Sequence, residues 1–311
     1  MRIVFMGTPE FAVPALDALI HSDHEVVGVF AQPDEPAGRG RTLVSPPVKK
    51  LALQHKLTVH QPPSLRRSCE LDRLVSLQPD VVVIAAYGKI LPESFLSVPP
   101  HGCLNIHASL LPRHRGPSPI AAAVLAGDEV TGVTIMVVTK VMDTGPVLAQ
   151  RQIPILPHDT TGSLFEKLSG LGADLLMDTL PRWLNGKLVA QPQDHSQATY
   201  SKMITKEEGL IDWHRTVVEL WRRVRAFQPW PGCYTTWQGR MLKIIEALPL
   251  AGEGTPGRVV APSHEPSAPV GVQTGEGILG LVQVQLEGKR AMSAAEFVRG
   301  QRNFIGAQVP S

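Results

Sequence analysis

Five successive apolar residues, Val81 to Ala85, follow a stretch of helical periodicity from Leu71 to Leu77 and do not alternate with polar ones. A strand with one wet face alternates, so VVVIA reads as a strand covered on both sides, as in a parallel sheet packed between helices. The amino-terminal segment repeats the pattern. Arg2 to Met6 is apolar and β-prone, Gly7, Thr8 and Pro9 break it, and Phe11, Ala15, Leu16, Leu19 and Ile20 recur at helical spacing before a second run, Val26 to Phe30. Leu51 to Leu57 reads as a further helix. Strands alternating with helices predict an α/β domain on a mostly parallel sheet, with its site at the carboxyl ends of the strands.

After Gly132, VTIMVV reads as a strand, MDTG as a turn and Val147 to Ile155 as another extended run, together a hairpin on the sheet edge. Ser163 and Glu166 have capping-box spacing, and Leu164, Leu168, Leu171, Leu175 and Leu176 carry a helical stripe toward a stop at Asn185 and Gly186. The 311 residues call for about two domains at roughly 150 residues each. The first is placed at residues 1–187. Residues 188–205, polar and aperiodic, read as a linker. In residues 206–311, Val217, Leu220, Trp221, Val224 and Phe227 mark one face of a short helix. CYTTW, MLKIIEA, PVGVQT and LVQVQL then form short strands between Gly-rich turns, which predicts a small OB-like β-barrel.

Composition narrows the class. Hydrophobic residues at 43% and charged residues at 19% describe a globular chain, neither disordered nor membrane-embedded. No apolar run reaches the length of a bilayer span, so no membrane is expected among its partners. Ile3 to Met6 is too short for a signal-peptide core. Cys69, Cys103 and Cys233 are widely spaced and form no CxxC pair, which argues against a disulfide framework or zinc finger and for a reducing, cytoplasmic compartment. The formal net charge of +2 conceals two basic zones: residues 31–67 carry seven Lys/Arg against two acids, and residues 202–243 eight against four. Two such zones suit one polyanion, although each alone is also an ordinary solvated surface.

The segment CLNIHAS, residues 103–109, is the most informative local pattern. Strand periodicity puts Asn105, His107 and Ser109 on one face, and a polar face in a covered sheet needs either satisfying partners or a cleft. The next residues, LLPRHRG, break the strand at Pro112 and are expected to present Arg113, His114 and Arg115 on an exposed loop. Asp143 in MDTG reads by itself as a turn held by its own carboxylate. An aspartic protease would need a second such motif, which the chain lacks. GEGILG, residues 275–280, matches the dinucleotide fingerprint formally, but Val282, Val284 and Leu286 then alternate as a strand, where that motif needs a helix. His101, His107 and His114 lack metal-site spacing, so no metal is expected, and Cys103 reads as a buried, inert thiol. Trp213, Trp221, Trp230 and Trp237 crowd among basic residues; they read as anchors of a small core, with the basic side chains left for phosphates.

Taken together, GTPEFAVPAL at the start, QPDEPAGRGR at 32–41, AAYGKILP at 85–92, NIHASLLPRHRG at 105–116, GVTIM with MDTG, and AFQPWPG at 226–232 resemble the methionyl-tRNA formyltransferases over essentially the whole chain. The resemblance implies a Rossmann-like first domain and transfer of a formyl group from 10-formyltetrahydrofolate to the α-amino group of methionyl initiator tRNA by a cytoplasmic monomer. It implies catalysis by Asn105, His107 and Asp143: the Asn105 amide and the His107 imidazole as donors to the developing oxyanion, and Asp143 orienting His107 and aiding proton removal. It further implies that Ser109, Leu110, Leu111 and Pro112 contact the folate, with free backbone groups near the proline meeting its polar edge. Arg39 and Arg41 would enter the acceptor stem, and Lys202, Lys206 and Lys243 in the second basic zone would hold the tRNA body. Folate-dependent enzymes that formylate small amines look similar over the first domain, so an amino-sugar nucleotide is the alternative acceptor; GRGR and QPWPG favour tRNA. A nucleic-acid-binding protein on a degenerate catalytic fold is the rival from another class. Lys140, Val141 and His114 depart from the residues usual in the family.

Overall fold

The computed structural model describes residues 1–37, 42–262 and 265–310. The chain divides into two compact units, one of residues 1–119, 130–154 and 165–201, the other of residues 120–129, 155–164 and 202–311.

Up to residue 184 the chain runs β1 (Arg2–Gly7), α1 (Val13–Ile20), β2 (Glu25–Phe30), the paired short strands β3 (Glu35–Ala37) and β4 (Thr42–Val44), α2 (Pro47–Gln54), β5 (Val59–His60), α3 (Ser68–Ser76), β6 (Val81–Ala85), α4 (Glu93–Leu96), β7 (Cys103–His107), α5 (Pro119–Ala126), β8 (Val130–Val137), β9 (Val147–Pro154) and α6 (Thr161–Leu184). The first unit holds a sheet of order β5-β2-β1-β6-β7-β8-β9. Its first five strands pair in parallel, and β8 runs antiparallel to both β7 and β9. This is the expected mostly parallel sheet with a hairpin on its edge.

All five residues of β6 are buried, as an unalternating strand between two covered faces requires. On one face Val4, Met6, Val82, Ile84 and Cys103 pack with Phe30, Leu74 and Phe95. Each such side chain contributes about 1.5–3 kcal/mol on leaving water. On the other face α6 comes very close to β7: a Cβ built on Gly172 would stand 2.8 Å from Ile106 Cγ2, so glycine permits the approach. The expected capping box of α6 lies one turn too late. The cap is Thr160, whose Oγ1 accepts from Ser163 N at 3.1 Å while Thr160 N donates to Ser163 Oγ at 3.0 Å. Residues 188–201, read as linker, are built into the first unit, where Val147 bridges to Gln191 and Arg115 to Tyr200.

The second unit holds α7 (Val217–Ala226), β10 (Cys233–Trp237), β11 (Arg240–Leu250), β12 (Val259–Val260), β13 (Val270–Gln273), β14 (Ile278–Leu286), β15 (Met292–Ser293) and α8 (Ala294–Gly300). Its antiparallel sheet has the order β10-β11-β14-β13-β12, with β15 also on β14, and is the expected OB-like element. Thr216 and Glu219 form a capping box for α7, which buries Val217, Leu220 and Val224. GEGILG leads into β14, a strand, so its last glycine, Gly280, sits opposite Gly271 in the ladder, and no helix follows to receive a phosphate. Trp213 and Trp237 are core residues, Trp237 meeting Phe297 and Phe304 edge-on at 5.8 and 5.2 Å.

Candidate active site

Asn105 and His107 lie on the last three residues of β7, and register places Asn105 beside Ile84 of β6 and Met136 of β8. Because Cys103 shares their face and packs in the apolar layer, the polar pair stands at the rim of that layer rather than on a polar strand. Cys103 itself is inert: burial pushes its thiol up to about 12. Asn105 is half-buried, and among the described residues its carboxamide has no hydrogen-bond partner. A half-buried amide without a partner is available to a ligand.

His107 is buried, with both ring nitrogens addressed. Nε2 lies 3.1 Å from the carbonyl of His114, an acceptor, so Nε2 carries the proton and donates. Nδ1 faces Asp143 Oδ1 at 3.7 Å, longer than a hydrogen bond. Burial holds the imidazole below its ordinary pKa, opposed by the Asp143 carboxylate and by the His114 carbonyl. The neutral ring therefore has its lone pair at Nδ1, toward Asp143. This corrects the expectation that His107 donates to an oxyanion, because the proton on Nε2 is already engaged. Asp143 and His114 both adopt left-handed backbone, φ 55° and 56°. Asp and His tolerate this better than most residues, and it persists only where the surroundings enforce it.

For Asp143 the enforcing contacts are clear. Its Oδ2 accepts from Gly116 N at 2.8 Å. Gln193 Nε2 donates to the carbonyls of Asp143 and Gly145 at 3.0 and 2.7 Å, and Arg115 donates to Gln193 Oε1 from Nε and Nη2 at 3.1 and 2.7 Å. The expectation that His114 and Arg115 are exposed is thus overturned: they are 6% and 2% accessible. The loop folds inward because residues 199–201 cover it, Arg115 N donating to Thr199 O, His114 N to Thr199 Oγ1, and Ser201 N to Arg115 O. Sequence reasoning missed Gln193, whose one signal is an amide in an aperiodic stretch.

Of the residues expected at the folate, Ser109 and Leu111 are buried while Leu110 and Pro112 are half-buried. Part of the backbone around them is engaged. Thr134 Oγ1 donates to Ser109 O at 2.6 Å and accepts from Leu111 N at 3.1 Å, and Gln150 Nε2 donates to Leu111 O at 2.8 Å. The apolar surface of Leu110 and Pro112 is what this turn offers a ligand. Arg39 and Arg41 lie outside the described residues. Among the described residues of the first basic zone, Asp34 accepts from Lys49 Nζ, Gln61 Nε2 and Ser45 Oγ. Those bonds, chiefly from Gln61 and Lys49, hold its carboxyl below the usual range.

Lys202, Lys206 and Lys243 are exposed in the second unit. Not every basic side chain of that zone is left for phosphates, however. Arg225 is buried, lies 3.9 Å over the Trp221 ring, and donates to the carbonyls of Leu156 and Asp159. Among the described residues one trio, Asp17, His21 and His55, brings three metal-ligating atoms within 4.8 Å of one another. All three are exposed, and none belongs to the His107 site.

Residues 1–180 match the formyl transferase family and residues 203–302 the formyl transferase C-terminal domain. Among solved structures, the sugar 3N-formyl transferase WlaRD superposes with a TM-score of 0.65 at 19% identity, covering 93% of this chain and 99% of that one. HypX from Aquifex aeolicus, in complex with tetrahydrofolic acid, gives 0.62 at 18% identity, over 98% of this chain and 48% of HypX. At such identities the likeness is one of fold. Fold and site define a formyl transferase with an OB-like carboxyl-terminal domain. Methionyl-tRNA formyltransferases from Chloroflexus aurantiacus and Methylococcus capsulatus are each 49% identical, over 96% of this chain and 97% and 96% of theirs. That of Dehalococcoides mccartyi is 48% identical over 99% of this chain and 98% of its own. The chain belongs to the methionyl-tRNA formyltransferase family.

Proposed function

We propose that this chain transfers the formyl group of 10-formyltetrahydrofolate to the α-amino group of methionyl initiator tRNA. What supports the acceptor is the near full-length identity to methionyl-tRNA formyltransferases. What supports the chemistry is the partnerless Asn105 amide beside a neutral imidazole whose lone pair faces a carboxylate. The folate supplies a formyl carbon that an amine can attack, placing negative charge on the formyl oxygen and positive charge on the nitrogen. The Asn105 amide donates to that oxygen, a contribution of about 2.7–4 kcal/mol for a preorganised donor. His107 Nδ1 takes the proton of the attacking nitrogen. The resulting imidazolium is satisfied on both sides, Nε2–H on the His114 carbonyl and Nδ1–H toward Asp143. The same proton then goes to the departing folate nitrogen as its bond to the formyl carbon breaks, so charge and protons balance.

Leu110 and Pro112 give the folate ring an apolar contact, with Ser109 and Leu111 supporting the turn beneath it. Residues 1–187 carry the chemistry, and residues 206–311, after the 188–205 segment, bind tRNA through Lys206 and Lys243, joined by Lys202 near the end of that segment, with phosphates as targets. Arg39 and Arg41 reach the acceptor end, so Arg39→Ala weakens tRNA use more than folate binding. One chain supplies Asn105, His107 and Asp143, which supports action as a monomer, and the free, partly buried cysteines suit a reducing cytoplasm. The fold shared with sugar formyl transferases favours the alternative, an amino-sugar nucleotide as acceptor. Assaying the purified chain with 10-formyltetrahydrofolate and charged initiator tRNA against an amino-sugar nucleotide separates the two. Turnover with the sugar alone would overturn the tRNA reading.

A further inference from the structure

We infer that Gln193 and Arg115 are positioning residues of formyl transfer, forming a buried brace that sets where the Asp143 carboxylate stands relative to His107; this rests on the reading above. A guanidinium 2% accessible is costly to bury, yet no carboxylate bonds to Arg115 among the described residues: its side-chain partners are Gln193 Oε1, Tyr200 Oη at 3.3 Å and His195 Nδ1 at 2.9 Å. The arrangement makes sense through what it does to Gln193. Two guanidinium donors on one oxygen decide which end of the amide is which, so both amide protons point the other way. They meet the carbonyls of Asp143 and Gly145.

The circuit then closes on itself. Arg115 reaches the Asp143 backbone through Gln193, while the next residue, Gly116, donates to the Asp143 carboxylate. One short stretch of loop therefore grips both main chain and side chain of the same aspartate. The grip matters because Asp143 holds a left-handed conformation that costs on the order of 1–3 kcal/mol unless enforced. Gly145 allows the turn to lie close, since a Cβ there would stand 1.8 Å from Val137 O. Misplacing a catalytic group by about 1 Å can cost 10²-fold in rate. The brace joins Arg115, the last arginine of the NIHASLLPRHRG motif, to Gln193, which is distant in sequence and lies in none of the motifs that mark the site.

The test uses the full chain with three variants: Gln193→Glu, which keeps an acceptor for Arg115 but loses both donors, Gln193→Met, and Arg115→Met with Gln193→Met together. The double variant removes the guanidinium and the amide together, so no buried charge is left unpaired, while the carbonyls of Asp143 and Gly145 lose their donor. For the double variant we expect kcat to fall at least tenfold, with KM for folate and tRNA within about threefold and a cooperative thermal transition retained at a lowered temperature. The His107 ring, followed by NMR, is faced by Asp143 and His114; it should titrate at lower pH once the carboxylate has moved away. Folded variants with parental kcat and parental His107 titration would overturn the brace, as would a loss confined to stability. If the parent itself transfers no formyl group, the functional reading fails, and the His107 titration still decides the brace.

Discussion

His107 Nδ1 faces Asp143 Oδ1 across 3.7 Å, while His107 Nε2 donates to the His114 carbonyl. The gap is too long for a hydrogen bond in the resting state and short enough to stabilise an imidazolium once Nδ1 gains a proton. Asp143→Asn keeps an oxygen for the Gly116 N–H but removes the charge. We expect kcat to fall by about 10²–10⁴, the usual worth of acid–base assistance, with KM little changed. Any acid limb due to His107 moves to lower pH, because Asp143 raises that pKa and its loss leaves burial unopposed. Steady-state kinetics from pH 5 to 9 reads both effects.

The same burial makes the fold sensitive to acid. His107 binds a proton less readily when folded than its ordinary value of about 6.5, so the unfolded chain holds more protons in the window between the two. Stability is complete above about pH 6.5 and is lost as pH falls from there through the lower folded value. His24 and His60, also lowered chiefly by burial, act in the same direction. Urea titrations at pH 7.5 and 5.5 should show a loss of stability that is smaller in His107→Gln. An equal loss in both chains would contradict the assignment of burial as the cause.

Parts of the molecule legible in sequence are those where one local pattern has one physical solution. VVVIA can be buried only between two layers, and Asn105 and His107 share a face because strands alternate. What the pattern does not carry is how loops fold back. Pro112 marks a break after a strand but does not say that residues 199–201 will cover Arg115, and a separation of 78 positions between Arg115 and Gln193 hides their pairing. By charge alone Arg225 belongs with the solvent-facing bases, since charge says nothing of direction; its helix turns it onto Trp221 and the carbonyls of Leu156 and Asp159.

Thr134 underpins the turn at Ser109–Pro112. Fully buried, its hydroxyl donates to Ser109 O and accepts from Leu111 N and from Gln150 Nε2 at 2.9 Å. Thr134→Val preserves shape and deletes all three bonds. A buried group left unpaired costs about 1–3 kcal/mol, and Gln150 can still hold Leu111 O, so a loss of about 2–4 kcal/mol is expected by urea denaturation. Because the turn carries Leu110 and Pro112, KM for the folate should rise more than KM for tRNA.

The second unit should reveal its ligand through salt. Lys243 lies exposed on β11 between Tyr234 and Gln285, and Lys202 and Lys206 are exposed ahead of α7. None of these lysines is held in an ion pair among the described residues, whereas Arg215 pairs with Asp212 and Glu219. A lysine that neutralises a phosphate releases counterions, and removing one such lysine should flatten the slope of log affinity against log salt by about 0.7–0.9. Replacing all three by alanine should therefore weaken tRNA binding most at low salt and reduce the slope by about two, leaving folate binding unchanged. Fluorescence anisotropy with labelled initiator tRNA from 50 to 300 mM salt, about the range where such slopes are resolved, makes the measurement. An unaltered slope would assign the tRNA contacts to other residues, whereas a parallel loss of folate affinity would mean that the substitutions reach the first unit.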